Sequence, residues 1–256
     1  MQTGQEAMEF PGLLQLSKKR LSPTLLKTVD SLEKIAAASP EKDLKIQIYR
    51  QLSRLWMDSA GVFVPFAKYT AEAAKLENSE KSLNFAAQLL LSEALSLQEK
   101  PLQAWMAREA RTVFEQSLAI NSGNDSTKIG LGACYFLGAA NEGEPPMKGV
   151  FLIREVAERD PGNAYAQWML GVGAAESGQW EKAVERFRKV YSLEPDNLDA
   201  LLRLANVYEQ SGNKNEAVRW YRVLIEQIRR LEKEHKFQPG PDMIRRLEEH
   251  IKSLEN

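Results

Sequence analysis

The sequence contains few of the side chains that build catalytic or metal sites. Its 256 residues include a single cysteine, Cys134, which excludes an intrachain disulfide and leaves the redox compartment open. The two histidines, His235 and His250, lack the spacing of metal ligands and stand among charged residues, so we expect both at the surface. Cys134 lies in an apolar stretch, which favours a small buried hydrophobe over a nucleophile. The sequence therefore predicts a protein that is not an enzyme and that uses no cofactor or metal.

Long apolar runs and an excess of one charge are also absent. No run of about 18 apolar residues occurs, so no segment is predicted to span a membrane. Residues 1–12 lack the basic start and apolar centre of a secretory signal. The formal net charge of −1 provides no field that would attract nucleic acid, and we expect no nucleic-acid partner. What remains is the composition of an ordinary soluble globular chain.

A 34-residue repeat dominates the second half of the chain. The matching pairs, each 34 residues apart, are Leu170 and Leu204, Gly171 and Ala205, Ala183 and Ala217, Phe187 and Tyr221, and Pro161 and Pro195. A fixed period of this length is typical of stacked helical hairpins. The small residues mark the closest approach of two helices, and Gly178 and Gly212 would end the first helix of each pair in a left-handed turn.

Residues 164–228 resemble the tetratricopeptide repeat family in the leucine–small pair, the aromatic, the alanine and the terminal proline. The resemblance implies an all-α fold, a right-handed superhelical solenoid of antiparallel helix hairpins, closed by a C-terminal capping helix. The stretch from Ile153 to Phe187 is also similar to the soluble periplasmic module of bacterial membrane-anchored proteins of this family. That similarity implies a membrane-tethered domain whose anchor lies outside this chain, although a cytoplasmic location fits the sequence as well.

The remaining boundaries follow from helical spacing and turn residues. Residues 1–22 form a poorly patterned segment with a solvated basic turn at Lys18–Arg20, and residues 23–256 form one solenoid. Within that solenoid we predict the following parts: degenerate helices at 23–78, a hairpin at 79–121, repeats at 125–160, 164–196 and 198–235, and a capping helix at 241–255. A surplus of five residues in the first repeat falls in a polar loop insertion at 138–148. Insertions in repeat arrays often lie on a binding face, but a tolerated surface loop without a role fits the sequence as well.

In the resembling family, the first helix of each hairpin lines a concave groove. Carried over by position, the groove would consist of Ile129, Ala133, Phe136, Tyr165, Trp168, Val172, Glu176, Leu202, Asn206 and Glu209. These residues step by three or four, so each set occupies one helix face. The face is apolar and aromatic in its middle and acidic toward the C-terminus, which favours an apolar peptide over a ligand held by its terminal carboxylate.

Two functional hypotheses remain open. The first is a non-catalytic scaffold that binds a partner peptide or protein in this groove. The second is a self-assembling, dimeric structural module of a bacterial envelope complex, because so much exposed apolar surface is rare on a monomer. The same face would also be hidden if the N-terminal 80 residues or the terminal helix covered it. An enzyme within residues 1–80 is disfavoured, because that stretch has no histidine, cysteine or glycine-rich loop.

Overall fold

The computed structural model describes residues 9–138 and 147–255, and every regular element among them is helical. The helices are α1 (Phe10–Lys18), α2 (Pro23–Ala38), α3 (Lys42–Arg54), α4 (Phe63–Glu77), α5 (Glu80–Ser96), α6 (Lys100–Ile120), α7 (Asp125–Gly138), α8 (Met147–Arg159), α9 (Ala164–Glu176), α10 (Trp180–Leu193), α11 (Leu198–Gln210), α12 (Lys214–Lys233) and α13 (Met243–Glu255). A single π-helical turn, Leu55–Ser59, follows α3. The all-α, hairpin-based fold class is confirmed. Among the described residues, no helix is long and apolar enough to cross a membrane.

The chain divides into two compact units, unit 1 (Met1–Leu152) and unit 2 (Ile153–Asn256). In unit 1, α3 packs on α4, α5 on α6, and α7 on both α5 and α6. In unit 2, the strongest pairings are α9 with α10 and α11 with α12, and α13 packs on α12. Most of the predicted loop insertion, residues 139–146, lies outside the described residues.

Asparagine side chains cap the first helices of the two hairpins in unit 2. Asn163 accepts a hydrogen bond from the backbone N–H of Ala166, and Asn197 accepts one from Ala200, both at 2.9 Å. Each bond satisfies a helix N–H that has no partner within its own helix. The hairpin turns use Gly178 at φ 70° and Gly212 at φ 81°, left-handed values that glycine adopts without strain.

Close approach between helices explains the small residues of the repeat. A Cβ atom on Gly171 would stand 2.9 Å from the ring of Phe187, which is fully buried on α10. In unit 1, a Cβ atom on Gly149 would stand 2.1 Å from the carbonyl oxygen of Gly132, so α7 and α8 meet backbone to backbone. The predicted close approach of two helices at Gly171 is confirmed, and it lets Phe187 pack in the core.

Two expectations for local structure are wrong. The repeat pattern predicts that Leu193 fills space beside the contact between the two helices, but Leu193 is 36% exposed at the end of α10. Lys18 is not part of a solvated basic turn: its ammonium group bonds Asp30 at 2.8 Å and Glu33 at 2.6 Å, and its side chain is only 12% exposed. Both carboxylates are on α2, so this pairing fastens α1 to its neighbour.

Helix α1 is also held by an aromatic contact. The ring of Phe10 stacks on Trp105 of α6 at 6.1 Å between centroids and meets Tyr69 of α4 edge-on at 5.9 Å. The hydroxyl of Tyr69 donates to Glu33 at 2.6 Å, and burial together with this carboxylate raises the pKa of Tyr69. Order in this part of the chain therefore depends on contacts between residues distant in sequence.

Candidate polypeptide-binding site

The first helix of the central repeat carries a band of aromatic side chains. On α9, Tyr165 and Trp168 are half-buried and Glu176 is exposed. The ring of Trp168 meets Phe187 of α10 edge to face, with centroids 5.4 Å apart and planes at 73°. Because Phe187 is fully buried, it gives Trp168 a rigid backing. Val172, predicted in the same band, is buried, so its side chain packs inside the hairpin and is not open to a partner.

The next repeat presents a different arrangement at the corresponding helix, α11. The hydroxyl oxygen of Tyr221 lies 2.6 Å from Oδ1 of Asn206 and 2.7 Å from Oε2 of Glu209, so its one proton is donated between these two acceptors. The Nε2 atom of His250, on α13, lies 2.8 Å from the same Glu209 carboxylate, and its ring meets Tyr221 edge-on at 5.0 Å. Asn206 and Glu209 are thus engaged within unit 2. His250, which we expected at the surface, has a side chain that is 40% exposed and also contacts Glu209.

Electrostatics at this contact favour the ionised carboxylate. Partial burial alone would raise the pKa of Glu209, but the hydrogen bonds from His250 and Tyr221 lower it overall. Burial, followed by the bond to Glu209, raises the pKa of Tyr221, so its hydroxyl remains a donor. The three groups form a polar link between α11, α12 and α13.

The terminal helix therefore covers part of the predicted groove. Leu202 of α11 belongs to the same apolar cluster as Ile244 and Leu247 of α13. Together with the link from His250 to Glu209, this packing places α13 against α11 as well as α12. Of the covers that the sequence left open, the terminal helix bonds Glu209 and shares an apolar cluster with Leu202, and both residues stay half-buried.

The predicted groove residues of unit 1 are mostly interior. Ile129 and Ala133 are buried, while Phe136 is half-buried. The reason is that α7 packs against both α5 and α6, which leaves little of its surface to solvent. Whether any of the ten predicted residues touches a partner stays a prediction. In this structure Ile129, Ala133 and Val172 offer no accessible side-chain surface.

Sequence reasoning missed an open cleft in unit 1. A space of about 310 Å³ lies between α3, α4 and α5. Its lining residues are Arg50, Ser53, Arg54, Phe66, Thr70, Ala73, Ala74, Glu77, Ser82 and Phe85. Phe85 is 62% exposed, and it stands outside the buried face of α5, which carries Leu83, Ala86 and Leu90. A large aromatic off its helix's buried face was the available signal.

The described residues bear on two kinds of chemical site, a reactive thiol and a metal-ligand cluster. Cys134 is buried, and that burial raises the pKa of its thiol, which disfavours the reactive thiolate. No group of three or more metal-binding side chains occurs in residues 9–138 and 147–255.

Comparison with known proteins places the repeats in a family. The tetratricopeptide repeat family model matches residues 174–230. This region is a tetratricopeptide repeat array. The resemblance inferred from the 34-residue period is thus confirmed where the period is most regular.

A curated relative matches over a comparable stretch. The PEX5-related protein of Homo sapiens is 33% identical over 76 residues, 30% of this chain. The matched part is 12% of that protein's length, so the similarity concerns one segment of a much larger chain.

Solved structures extend the similarity of fold. TTC0263, a thermophilic tetratricopeptide repeat protein of Thermus thermophilus, is 16% identical, with a TM-score of 0.54 over 82% of this chain and 98% of its own. MamA from Desulfovibrio magneticus RS-1 is 19% identical, with a TM-score of 0.48 over 72% of this chain and 96% of its own. At this identity, the likeness to TTC0263 shows the tetratricopeptide-type helical fold and nothing about function.

Proposed function

We propose that this protein is a non-catalytic interaction scaffold that binds a polypeptide segment along α9, through Tyr165 and Trp168. The observation that carries the proposal is the half-buried indole of Trp168, seated on the buried ring of Phe187. A tetratricopeptide repeat array is a repeat architecture whose usual role is to hold other proteins, and α9 is the first helix of a hairpin in unit 2.

The geometry favours a specific contact because the aromatic anchor is already ordered. Tryptophan and tyrosine dominate the energetics of protein interfaces, especially in pockets that are packed before binding. Trp168 loses little side-chain freedom on binding, since its edge-to-face contact with Phe187 already restricts its rotamer.

The charge of α9 narrows the class of partner. The helix contains no lysine or arginine, and Glu176 gives its C-terminal end a negative charge. Phosphate contacts require cationic side chains, so this surface does not suit nucleic acid. A partner with apolar or aromatic side chains and no excess negative charge is the better match.

Selection of displayed random 12-residue peptides on the full chain would supply defined ligands for a test. We expect Trp168→Ala to weaken their binding at least about tenfold, as removal of an interface anchor does. Trp180→Ala is the matched control, because Trp180 is also half-buried but begins α10. We expect this control to change affinity less than about threefold. Fluorescence anisotropy gives the affinities, and circular dichroism verifies that both variants fold.

Two results would contradict the proposal. One is that Trp168→Ala and Trp180→Ala lose affinity equally, or that neither loses any. The other is a concentration-dependent dimer in sedimentation velocity that Trp168→Ala abolishes, because this would assign the face to a second copy of the chain.

A further inference from the structure

We propose that the cleft between α3, α4 and α5 in unit 1 is a separate binding site for a polypeptide segment that presents an aromatic or aliphatic side chain beside a carboxylate. This inference does not depend on the role proposed for α9. It rests on the shape of the cleft, its apolar wall and one uncompensated positive charge.

The apolar part of the cleft is large enough for one side chain. Ala73 and Ala74 of α4 form a low floor, because their side chains end at Cβ. Phe66 of α4 and the exposed Phe85 of α5 stand beside it as walls. Helices α3 and α5 pack little on each other directly, while both pack on α4, so the space above α4 stays open. An inserted side chain would remove apolar surface of Phe85 from water.

The polar groups at the floor are already satisfied. The hydroxyls of Ser53 and Thr70 lie 2.7 Å apart, and Thr70 donates to the carbonyl oxygen of Phe66 at 2.8 Å. A side chain entering the cleft therefore leaves these groups bonded and incurs no cost for burying an unpaired hydroxyl.

The rim has an unbalanced charge. Arg50 holds Glu77 through two of its nitrogens, at 2.8 Å and 2.7 Å, and so neutralises that carboxylate. The remaining charged side chain of the lining is Arg54, which is exposed and whose guanidinium makes no hydrogen bond or ion pair to any described residue. Guanidinium groups bind carboxylates through paired hydrogen bonds, so Arg54 complements an acidic group on the occupant.

The end of α3 is irregular next to Arg54. Directly after Arg54 the helix widens into the π turn Leu55–Ser59, in which the N–H of Ala60 bonds the carbonyl oxygen of Leu55 at 3.2 Å. Such turns occur frequently beside functional sites. Here the turn follows the residue that carries the free charge.

A polypeptide fits this cleft better than a nucleotide does. Both offer a flat or apolar group beside an anion, but phosphate sites use several cations or a set of backbone N–H groups. The cleft offers Arg54 alone, since Arg50 is already paired. One guanidinium beside an apolar wall matches one carboxylate beside one apolar side chain.

The smallest probes with this chemistry are N-acetyl-L-phenylalanine and its amide, which differ by the carboxylate. An NMR titration of the full chain is expected to show millimolar binding of the acid, with shifts centred on α3, α4 and α5. Phe85→Ser should weaken both probes about fivefold, which corresponds to the loss of about 1 kcal/mol. Arg54→Gln should weaken the acid about fivefold and leave the amide unchanged.

Matched controls separate the site from general surface effects. Phe151→Ser removes another phenylalanine of unit 1 that is also 62% exposed, and Arg246→Gln removes an exposed arginine of α13. Both should leave each affinity within about twofold. The proposal is overturned if no saturable shifts occur in the cleft, or if AMP binds more tightly than the acid. It is also overturned if Phe85→Ser abolishes a dimer of the free protein, because the occupant would then be a second copy.

Discussion

Hairpins α9–α10 and α11–α12 repeat the same sequence pattern, but the side chains on their first helices have different partners. Phe187 and Tyr221 occupy equivalent positions, and both rings are buried. Phe187 has no polar group and supports Trp168, which remains partly accessible. Tyr221 uses its hydroxyl to engage Asn206 and Glu209, and Glu209 in turn holds His250 of α13. One hydroxyl group therefore accompanies the difference between an indole backed by a buried ring and a carboxylate bonded to the terminal helix.

Removal of the buried ring of Phe187 should have the largest effect on stability. Phe187→Ala is expected to cost about 3–5 kcal/mol of unfolding free energy, because it leaves a cavity at a fully packed position. Urea denaturation followed by circular dichroism measures the change. Leu193→Ala in the same helix is the control, and it should cost less than about 1 kcal/mol since Leu193 is partly exposed. Similar losses of unfolding free energy in the two variants would contradict the central role of Phe187 in the core of this hairpin.

Exchange of the two ring types should have an intermediate effect. Tyr221→Phe removes the donor to Asn206 and Glu209 and is expected to cost about 1–2 kcal/mol. The reverse change, Phe187→Tyr, adds a hydroxyl beside Gly171 at a fully buried position and should also destabilise, by about 1–3 kcal/mol. Denaturation midpoints of the two variants provide the measurement. If Phe187→Tyr proves neutral, the two hairpins do not differ in the way described.

The pH dependence of stability that comes from Glu209 should be the smallest effect. Because the pKa of Glu209 is lowered in the folded protein, its contribution is present above the ordinary value of 4.5 and is lost as the pH falls below it. Glu209→Gln is therefore expected to destabilise by about 0.5–1 kcal/mol at pH 6, and by progressively less below pH 4.5. Stability of both proteins measured from pH 6 to pH 3 tests this. A constant difference across that range would mean that the ionised carboxylate does not stabilise the contact.

The sequence predicted the regular hairpins well because their determinants are local. Asn197 caps α11, Gly178 supplies the left-handed turn, and Gly171 makes room for Phe187, all within one repeat. Helix α1 and the pairing of Lys18 could not be predicted in the same way. Phe10 depends on Trp105, and Lys18 depends on Asp30 and Glu33, which are contacts that the fold has to form first.

The candidate sites were harder to predict than the helices. A groove carried over by position treats every first helix as having one accessible face, but α7 is packed on two sides, which buries Ile129 and Ala133. On α11, Glu209 is likewise bonded to His250 of α13. Accessibility depends on what neighbouring helices leave uncovered, and a single repeat does not encode this.

Hydrogen exchange on the full chain, with and without a peptide selected by display, tests the difference between the two hairpins most directly. We expect the peptide to slow exchange in α9, at Ala164–Glu176, and to leave α11 and α13 unchanged. Protection centred on α11 with faster exchange in α13 would contradict this expectation, because the peptide would then be displacing the terminal helix instead of docking on Tyr165 and Trp168.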